Sequence, residues 1–277
     1  LFYLKFNKEN IFTINQVLTS KVAYNVKKKE NKLILFFFYL IIIFVIIDFI
    51  SLDYSKYFSN LDFFHEGAYL TSAKNLQLKG GFWSTSYIEY GLYGNFSPII
   101  FWKLFNLETI GSIRFSNMLI LFFNKVFLVI LSKKISENLG FEKKSEGIYF
   151  VFLSILSISL VNYEYWETDI GSKFFLILVF LLVLFEFFKT NNKFLNLLVG
   201  SFSAISMFWY IDIGAYLNAF LFFLLIYLIY TKEYQKLIFT LFGLVIGWIF
   251  FLSFLPSNEI KVFYEDTKII FFSADYI

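Results

Sequence analysis

A short acidic stretch near residue 60 has the residue types and spacing for acid–base chemistry. It reads NLDFFHEGAYL and contains Asp62, His65 and Glu66. If a helix begins near Asn60, these three residues stand at i, i+3 and i+4 and share one face. Carboxylates near water can take a proton from a hydroxyl group, such as that of a sugar, or hold a divalent cation. The structural alternative is that Asp62 and Glu66 stabilise the positive end of a helix, with His65 as a hydrogen-bonded structural residue rather than a base or ligand.

Two further segments carry acids that could contribute to the same site. The segment YEYWETD contains Glu167 and Asp169, and the segment WYIDIG contains Asp212. An aromatic loop at a membrane surface would explain the first segment equally well. Turn formation would explain Asp212.

Three cations lie in or beside apolar runs. Arg114 and Lys173 each stand at the start of one, where a guanidinium or ammonium group could bind phosphate oxygens. Either side chain could instead extend to lipid headgroups. Lys125 lies within an apolar run, and we expect its side chain to reach toward the cytoplasmic end of that helix.

The composition indicates the kind of protein that positions these residues. The chain has 277 residues, of which 58% are hydrophobic and 16% are charged, and its mean hydropathy is +0.67. Such a chain is typical of lipid rather than water as the solvent, and backbone groups in lipid must be satisfied by helices. We therefore predict an all-α, polytopic transmembrane bundle of about seven spans. The apolar runs are 33–50, 113–131, 148–165, 174–188, 194–210, 213–230 and 237–255.

The distribution of charge predicts the orientation of these spans. Lysines cluster before the first run and in every second connection after it, whereas acids collect in the other connections. The lysine-rich side is predicted to be cytoplasmic, together with the N-terminus. The chain then divides into a basic cytoplasmic segment 1–32, a bundle 33–255 with an external loop 51–112, and an external amphipathic segment 256–277. Because the sequence starts with Leu1 and stops just after that segment, we expect a truncated fragment.

Several classes of function are disfavoured. The chain has no cysteine, so it has neither thiolate metal sites nor disulfides. A net charge of +3 with a single arginine indicates no nucleic-acid partner. Small-residue pairs, Gly243 with Gly247 and Gly200 with Ala204, predict close helix packing rather than chemistry.

The external loop is predicted to contain two short helices lying at the membrane interface. Residues 66–79 have Tyr69, Ala73 and Leu76 at helical spacing. Ser97 before Pro98 is typical of a helix start and predicts a second, aromatic helix through Phe105.

The order of these features resembles the GT-C class of membrane glycosyltransferases. After the first span come DFFHEGAYLTSAKNL, then GGFW, then YIEYGLYGNFSPIIFWKLF before the second span. This is similar to the bacterial relatives of the protein O-mannosyltransferases and of the aminoarabinose transferase that acts on lipid A. The topology matches over residues 33 to 277, and individual residues match between about 60 and 116.

The resemblance implies an inverting sugar transfer in a bacterial inner membrane. The donor would be a polyprenyl-phosphate-linked sugar, and the acceptor an external glycan, lipid or protein. Asp62 or Glu66 would be the general base; the class's Asp-Glu pair aligns with His65 and Glu66, so a histidine stands where an acid is expected. In some members a carboxylate in the region of Glu167 and Asp169 binds a metal or orients the acceptor. The alternatives are a transporter or flippase for a lipid-linked glycan and a non-catalytic membrane subunit.

Overall fold

The protein is all-α over the residues that the structure describes. The computed structural model describes residues 31–55, 65–84, 91–139, 142–161, 163 and 170–272. Within those ranges there are ten helices: α1 (Lys32–Ile50), α2 (His65–Lys79), α3 (Gly91–Phe105), α4 (Ile110–Asn138), α5 (Lys143–Ser159), α6 (Ile170–Lys189), α7 (Lys193–Trp209), α8 (Ile211–Tyr230), α9 (Tyr234–Ser253) and α10 (Ser257–Phe272). The predicted fold class is confirmed.

The number of spans is smaller than predicted. Seven helices, α1 and α4 to α9, coincide with the seven apolar runs. Among the described residues, five are long and apolar enough to cross a membrane alone, namely α1, α4, α6, α8 and α9. The other two, α5 and α7, have 17 residues each. At about 1.5 Å per residue they cover roughly 26 Å, which is short of about 30 Å of hydrocarbon.

Contacts between helix termini show which helix ends lie together at each end of the bundle. At one end, the side-chain amide of Asn31, which caps α1, donates to the Lys143 carbonyl at the start of α5 (2.7 Å). The same end holds an ion pair between Lys134 of α4 and Glu186 of α6. At the other end, α2, α3, α10 and residues 80–84 form a layer that we call the cap. We call the end with Asn31 and Lys134 the basal end, and the end with this layer the cap end.

Helix α4 is longer than the helices beside it and extends beyond them into the cap. The Asn124 side-chain amide donates to the Gly171 carbonyl at the start of α6 (2.7 Å), and Lys125 pairs with Asp48 near the end of α1 (2.7 Å). The 14 residues of α4 before Asn124 cover roughly 21 Å. Phe115 among them still packs on Phe49 at the end of α1, so only the turn before it, which carries Arg114, lies beyond that helix. This projecting part of α4 is where the cap helices α2 and α3 contact it.

The expectation for Lys125 was wrong. Its ammonium group bonds Asp48, close to the cap end of α1, and lies 4.0 Å from the ring centre of Tyr163. It does not reach toward the opposite end, because a carboxylate on the neighbouring helix is within reach. A nearby opposite charge offsets the cost of burying an ammonium group in a bundle.

The start of α3 also differs from the sequence prediction. The helix begins at Gly91, so Pro98 lies inside it and Ser97 is not its N-cap. The early turns are held by tertiary packing, since Tyr93 stacks on Trp209 of α7 with ring centres 4.1 Å apart. That contact outweighs the local preference of proline for the first turn.

The small-residue pairs are confirmed as packing sites. Helices α7 and α9 run parallel, and the Ser201 hydroxyl donates to the Gly243 carbonyl (3.1 Å). A Cβ on Gly200 would overlap the backbone of Thr240, and one on Gly243 would overlap the backbone of Leu197. Because the obstacle is backbone rather than a flexible side chain, this contact requires glycine.

We predict that Gly200→Ala and Gly243→Ala each destabilise the bundle by about 1–3 kcal/mol, since the helices must move apart. Thermal unfolding of the purified protein in detergent measures this. The matched control is Gly67→Ala in α2, where an added Cβ meets nothing within 4 Å. Equal unfolding temperatures for all three variants would contradict the close α7–α9 contact.

Candidate functional site

The first predicted acid and the first predicted cation form a buried ion pair. Arg114, the fifth residue of α4, donates from Nε to one oxygen of Glu66 (2.5 Å) and from a terminal nitrogen to the other (2.7 Å). Glu66 lies in the first turn of α2 and is 8% exposed, whereas Arg114 is 2% exposed. The planar guanidinium group matches both carboxylate oxygens, which makes this the strongest geometry for such a pair.

Apolar residues shield this pair from water. Ala73, Trp102 and Ile113 form a buried cluster contributed by α2, α3 and α4. The Trp102 indole N–H donates to the Thr109 carbonyl (3.1 Å), which fixes the connection between α3 and α4. The ion pair and the cluster together hold two cap helices to the projecting part of α4.

The second predicted cation pairs with another predicted acid. Lys173, in the first turn of α6, lies 2.7 Å from a carboxylate oxygen of Asp212 in the first turn of α8. Its ammonium group is also 5.1 Å from the ring centre of Tyr210. The side chains of Lys173 and Asp212 are 24% and 50% exposed, so this pair is open to solvent, unlike the first.

Helix α3 lies between the two ion pairs. Its early residue Tyr93 stacks on Trp209, whose indole N–H donates to the Ser172 carbonyl beside Lys173 (3.0 Å). Its later residue Trp102 belongs to the cluster beside Arg114. The structure thus joins Glu66 to Arg114 and Lys173 to Asp212, and connects both pairs to α3.

The other candidates stay predictions. Asp62, Glu167 and Asp169 lie outside the described residues, as does the side chain of His65, whose backbone begins α2. Among the residues that are described, no group of three or more histidines and carboxylates could hold a metal ion.

The sequence reasoning missed a third polar centre at the cap end. One oxygen of Glu259, the third residue of α10, accepts three consecutive backbone N–H groups, from Phe82 (2.9 Å), Trp83 (2.6 Å) and Ser84 (3.2 Å). The other oxygen accepts the Ser84 hydroxyl. Glu259 is 1% exposed. Two glycines with positive φ, Gly80 (64°) and Gly81 (93°), precede these donors and shape the turn.

These donors lower the pKa of Glu259. Burial alone would raise the pKa of this carboxyl group, but the Ser84 hydroxyl and the three backbone N–H groups stabilise the charged form and bring the pKa below its ordinary value of 4.5. Adjacent glycines after a helix predict a tight turn from sequence. No local pattern, however, connects residues 82–84 with an acid some 175 positions later.

Comparison of the chain with known protein families, with curated proteins and with solved structures finds no match.

We predict that Arg114→Met destabilises the protein by about 3–5 kcal/mol, because Glu66 is left buried without its counter-charge. Thermal unfolding measures the effect. Removing both charges, in Arg114→Met with Glu66→Met, should recover much of the loss. A double variant as unstable as the sum of the two single variants would contradict the assignment. Lys261→Ala, which breaks the solvent-exposed ion pair with Glu265 in α10, serves as the control and should change little.

We also predict a specific acid sensitivity from Glu259. Since its pKa is lowered on folding, the carboxylate stabilises the protein fully above about pH 4.5, and this contribution disappears as the pH falls below that value. Thermal unfolding as a function of pH should show a drop in the wild type that Glu259→Gln lacks. Glu265→Gln, at a solvent-exposed position of the same helix, should keep the wild-type profile. A wild-type profile in Glu259→Gln would refute the prediction.

Proposed function

We propose that this protein is a membrane glycosyltransferase of the GT-C type, which transfers a sugar from a polyprenyl-phosphate carrier to an external glycan, lipid or protein acceptor. The observation that carries the proposal is the cap. It gathers charged and aromatic side chains over one end of an apolar bundle, where a lipid-linked donor and a water-soluble acceptor could meet. An enzyme joining such substrates needs a site at the boundary between lipid and water.

The proposed reaction assigns different roles to Asp62 and Glu66. Asp62 takes the proton of the acceptor hydroxyl while the hydroxyl oxygen attacks the anomeric carbon. The bond from that carbon to the phosphate oxygen breaks, and the polyprenyl phosphate leaves with the electron pair, which inverts the configuration. Both oxygens of Glu66 already accept from Arg114, which leaves Asp62 as the carboxylate assigned to the acceptor hydroxyl. We assign Glu66 to positioning the segment that carries Asp62.

The remaining candidates would bind substrate. The Lys173 and Asp212 pair is exposed and lies beside aromatic rings, which are common partners of sugar faces. Either group could exchange its present partner for a substrate hydroxyl or phosphate. His65, Glu167 and Asp169 would contribute from adjoining segments, and a divalent cation held by those acids would neutralise the leaving phosphate.

The location follows from charge. With the lysine-rich basal end in the cytoplasm, the cap faces the outside of a bacterial inner membrane, as the positive-inside rule favours. External lipid-linked sugars would then reach the cap from the outer leaflet.

A transporter for a lipid-linked glycan is the second candidate. The supporting observation is the ion pair of Lys125 with Asp48 within the helices, because ionisable residues there often mark a transport path. Such a protein would move the donor without breaking its bond to the sugar.

The two functions are separated by reconstituting the protein in liposomes with labelled polyprenyl-phosphate sugars. We predict that label appears on the acceptor and that Asp62→Asn abolishes this transfer. Glu66→Gln should lower transfer together with stability, because it weakens the pair with Arg114. The control Glu108→Gln changes an exposed cap acid and should keep wild-type transfer.

Movement of intact labelled lipid between leaflets without transfer would identify a transporter instead. Full transfer activity in both Asp62→Asn and Glu66→Gln would refute the catalytic assignment.

A further inference from the structure

Residues 80–84 form a concave surface of backbone donors. Three consecutive N–H groups, from Phe82 to Ser84, converge on one carboxylate oxygen, and the Ser84 hydroxyl contacts the second oxygen. Successive N–H groups in a turn of this kind make a nest, an arrangement that binds anions including phosphate. We refer to residues 80–84 as the nest.

The group that fills the nest belongs to the chain itself. Glu259 comes from α10 and is almost completely buried, so an anion is already seated among these donors. The same turn contains a further donor, since the indole N–H of Trp83 is buried and has no acceptor among the described residues. A tetrahedral phosphate has more acceptor oxygens than a carboxylate and could engage a donor that Glu259 leaves unused.

The position of the nest matches that of a lipid headgroup. The Trp83 ring packs on Phe208, the penultimate residue of α7, with ring centres 5.9 Å apart, and on Phe263 of α10 at 4.7 Å. Phe208 in turn stacks on Phe251 near the end of α9 (4.5 Å). The nest therefore lies over the cap-end terminus of α9, a helix long and apolar enough to cross a membrane, and the ends of such helices meet the polar headgroups.

We infer that the nest is a binding site for the phosphate group of a lipid, and that Glu259 occupies it as an internal substitute when no lipid phosphate is bound. Binding then requires Glu259 to withdraw, which moves the start of α10 away from the nest. No covalent step is involved. This inference deepens the proposed function and rests on it. It gives the carrier's phosphate a binding site separate from Arg114 and Lys173.

The test measures binding rather than sugar transfer, so the two proposals can fail separately. The purified 277-residue chain in detergent micelles is titrated with decaprenyl phosphate, with decaprenol and with inorganic phosphate. Emptying the nest by Glu259→Ala should raise the affinity for decaprenyl phosphate by about tenfold, because a competing anion is gone. Adding Ser84→Ala should remove much of that gain.

The three ligands distinguish the source of the phosphate. Decaprenol lacks the phosphate and should bind equally to wild type and variant. Inorganic phosphate should bind Glu259→Ala more weakly than decaprenyl phosphate binds it. Equal affinity of this variant for the two ligands would show that the nest recognises free phosphate, and would overturn the lipid assignment. Glu186→Ala, which removes an acid at the basal end, is the matched control and should keep the wild-type affinity.

A second measurement does not depend on emptying the nest. Because the chain has no cysteine, spin labels can be placed at Leu78→Cys and Lys261→Cys, two exposed positions on either side of the contact. Decaprenyl phosphate should lengthen the distance between the labels, and decaprenol should not. An unchanged distance at saturating decaprenyl phosphate, or no affinity gain in folded Glu259→Ala, would overturn the inference.

Discussion

The buried ion pair between Glu66 and Arg114 is the interaction on which the cap depends. Helix α4 is 29 residues long, and its first turn, which precedes the packing of Phe115 on Phe49 of α1, needs partners of its own. Arg114 would be costly to bury there without a counter-charge, and Glu66 supplies one with two hydrogen bonds. The pair fixes α2 against α4, and the apolar cluster around Trp102 then holds α3 in place.

The cap is attached at its other side by a different mechanism. There Glu259 accepts backbone donors from residues 82–84, and aromatic rings of α7, α9 and α10 pack around Trp83. One attachment is therefore a pair of fixed opposite charges, while the other is a carboxylate among neutral donors. An incoming anion at the second would displace Glu259 without breaking an ion pair, whereas at the first it would separate Glu66 from its buried counter-charge. This difference is why exchange with a ligand is expected at Glu259 and not at Glu66.

Much of the fold could be predicted from hydropathy, because lipid requires apolar helices and the seven apolar runs coincide with seven of the helices. The prediction failed where tertiary contacts decide the outcome. Helix α4 exceeds the predicted run 113–131 by three residues at its start and by seven at its end, where the polar sequence SKKISEN gives no hydropathy signal. Lys125 was misassigned because Asp48, its partner, lies on another helix. The start of α3 was misplaced because the stacking of Tyr93 on Trp209 is not visible in the local sequence.

The site was predictable to the extent that it uses charged side chains at helix ends. Glu66, Arg114, Lys173 and Asp212 were each identified as candidates from their type and position, but their pairing was not, since it depends on how α2, α4, α6 and α8 meet. The nest could not be found in this way at all. Its donors are backbone N–H groups, which every residue except proline has, so only the turn geometry set by Gly80 and Gly81 makes them a site. A Cβ added at Gly80 meets no atom within 4 Å but is strained at φ +64°. If the turn geometry makes the site, Gly80→Ala should therefore weaken the hydrogen bonds between the nest and Glu259 without displacing any neighbour.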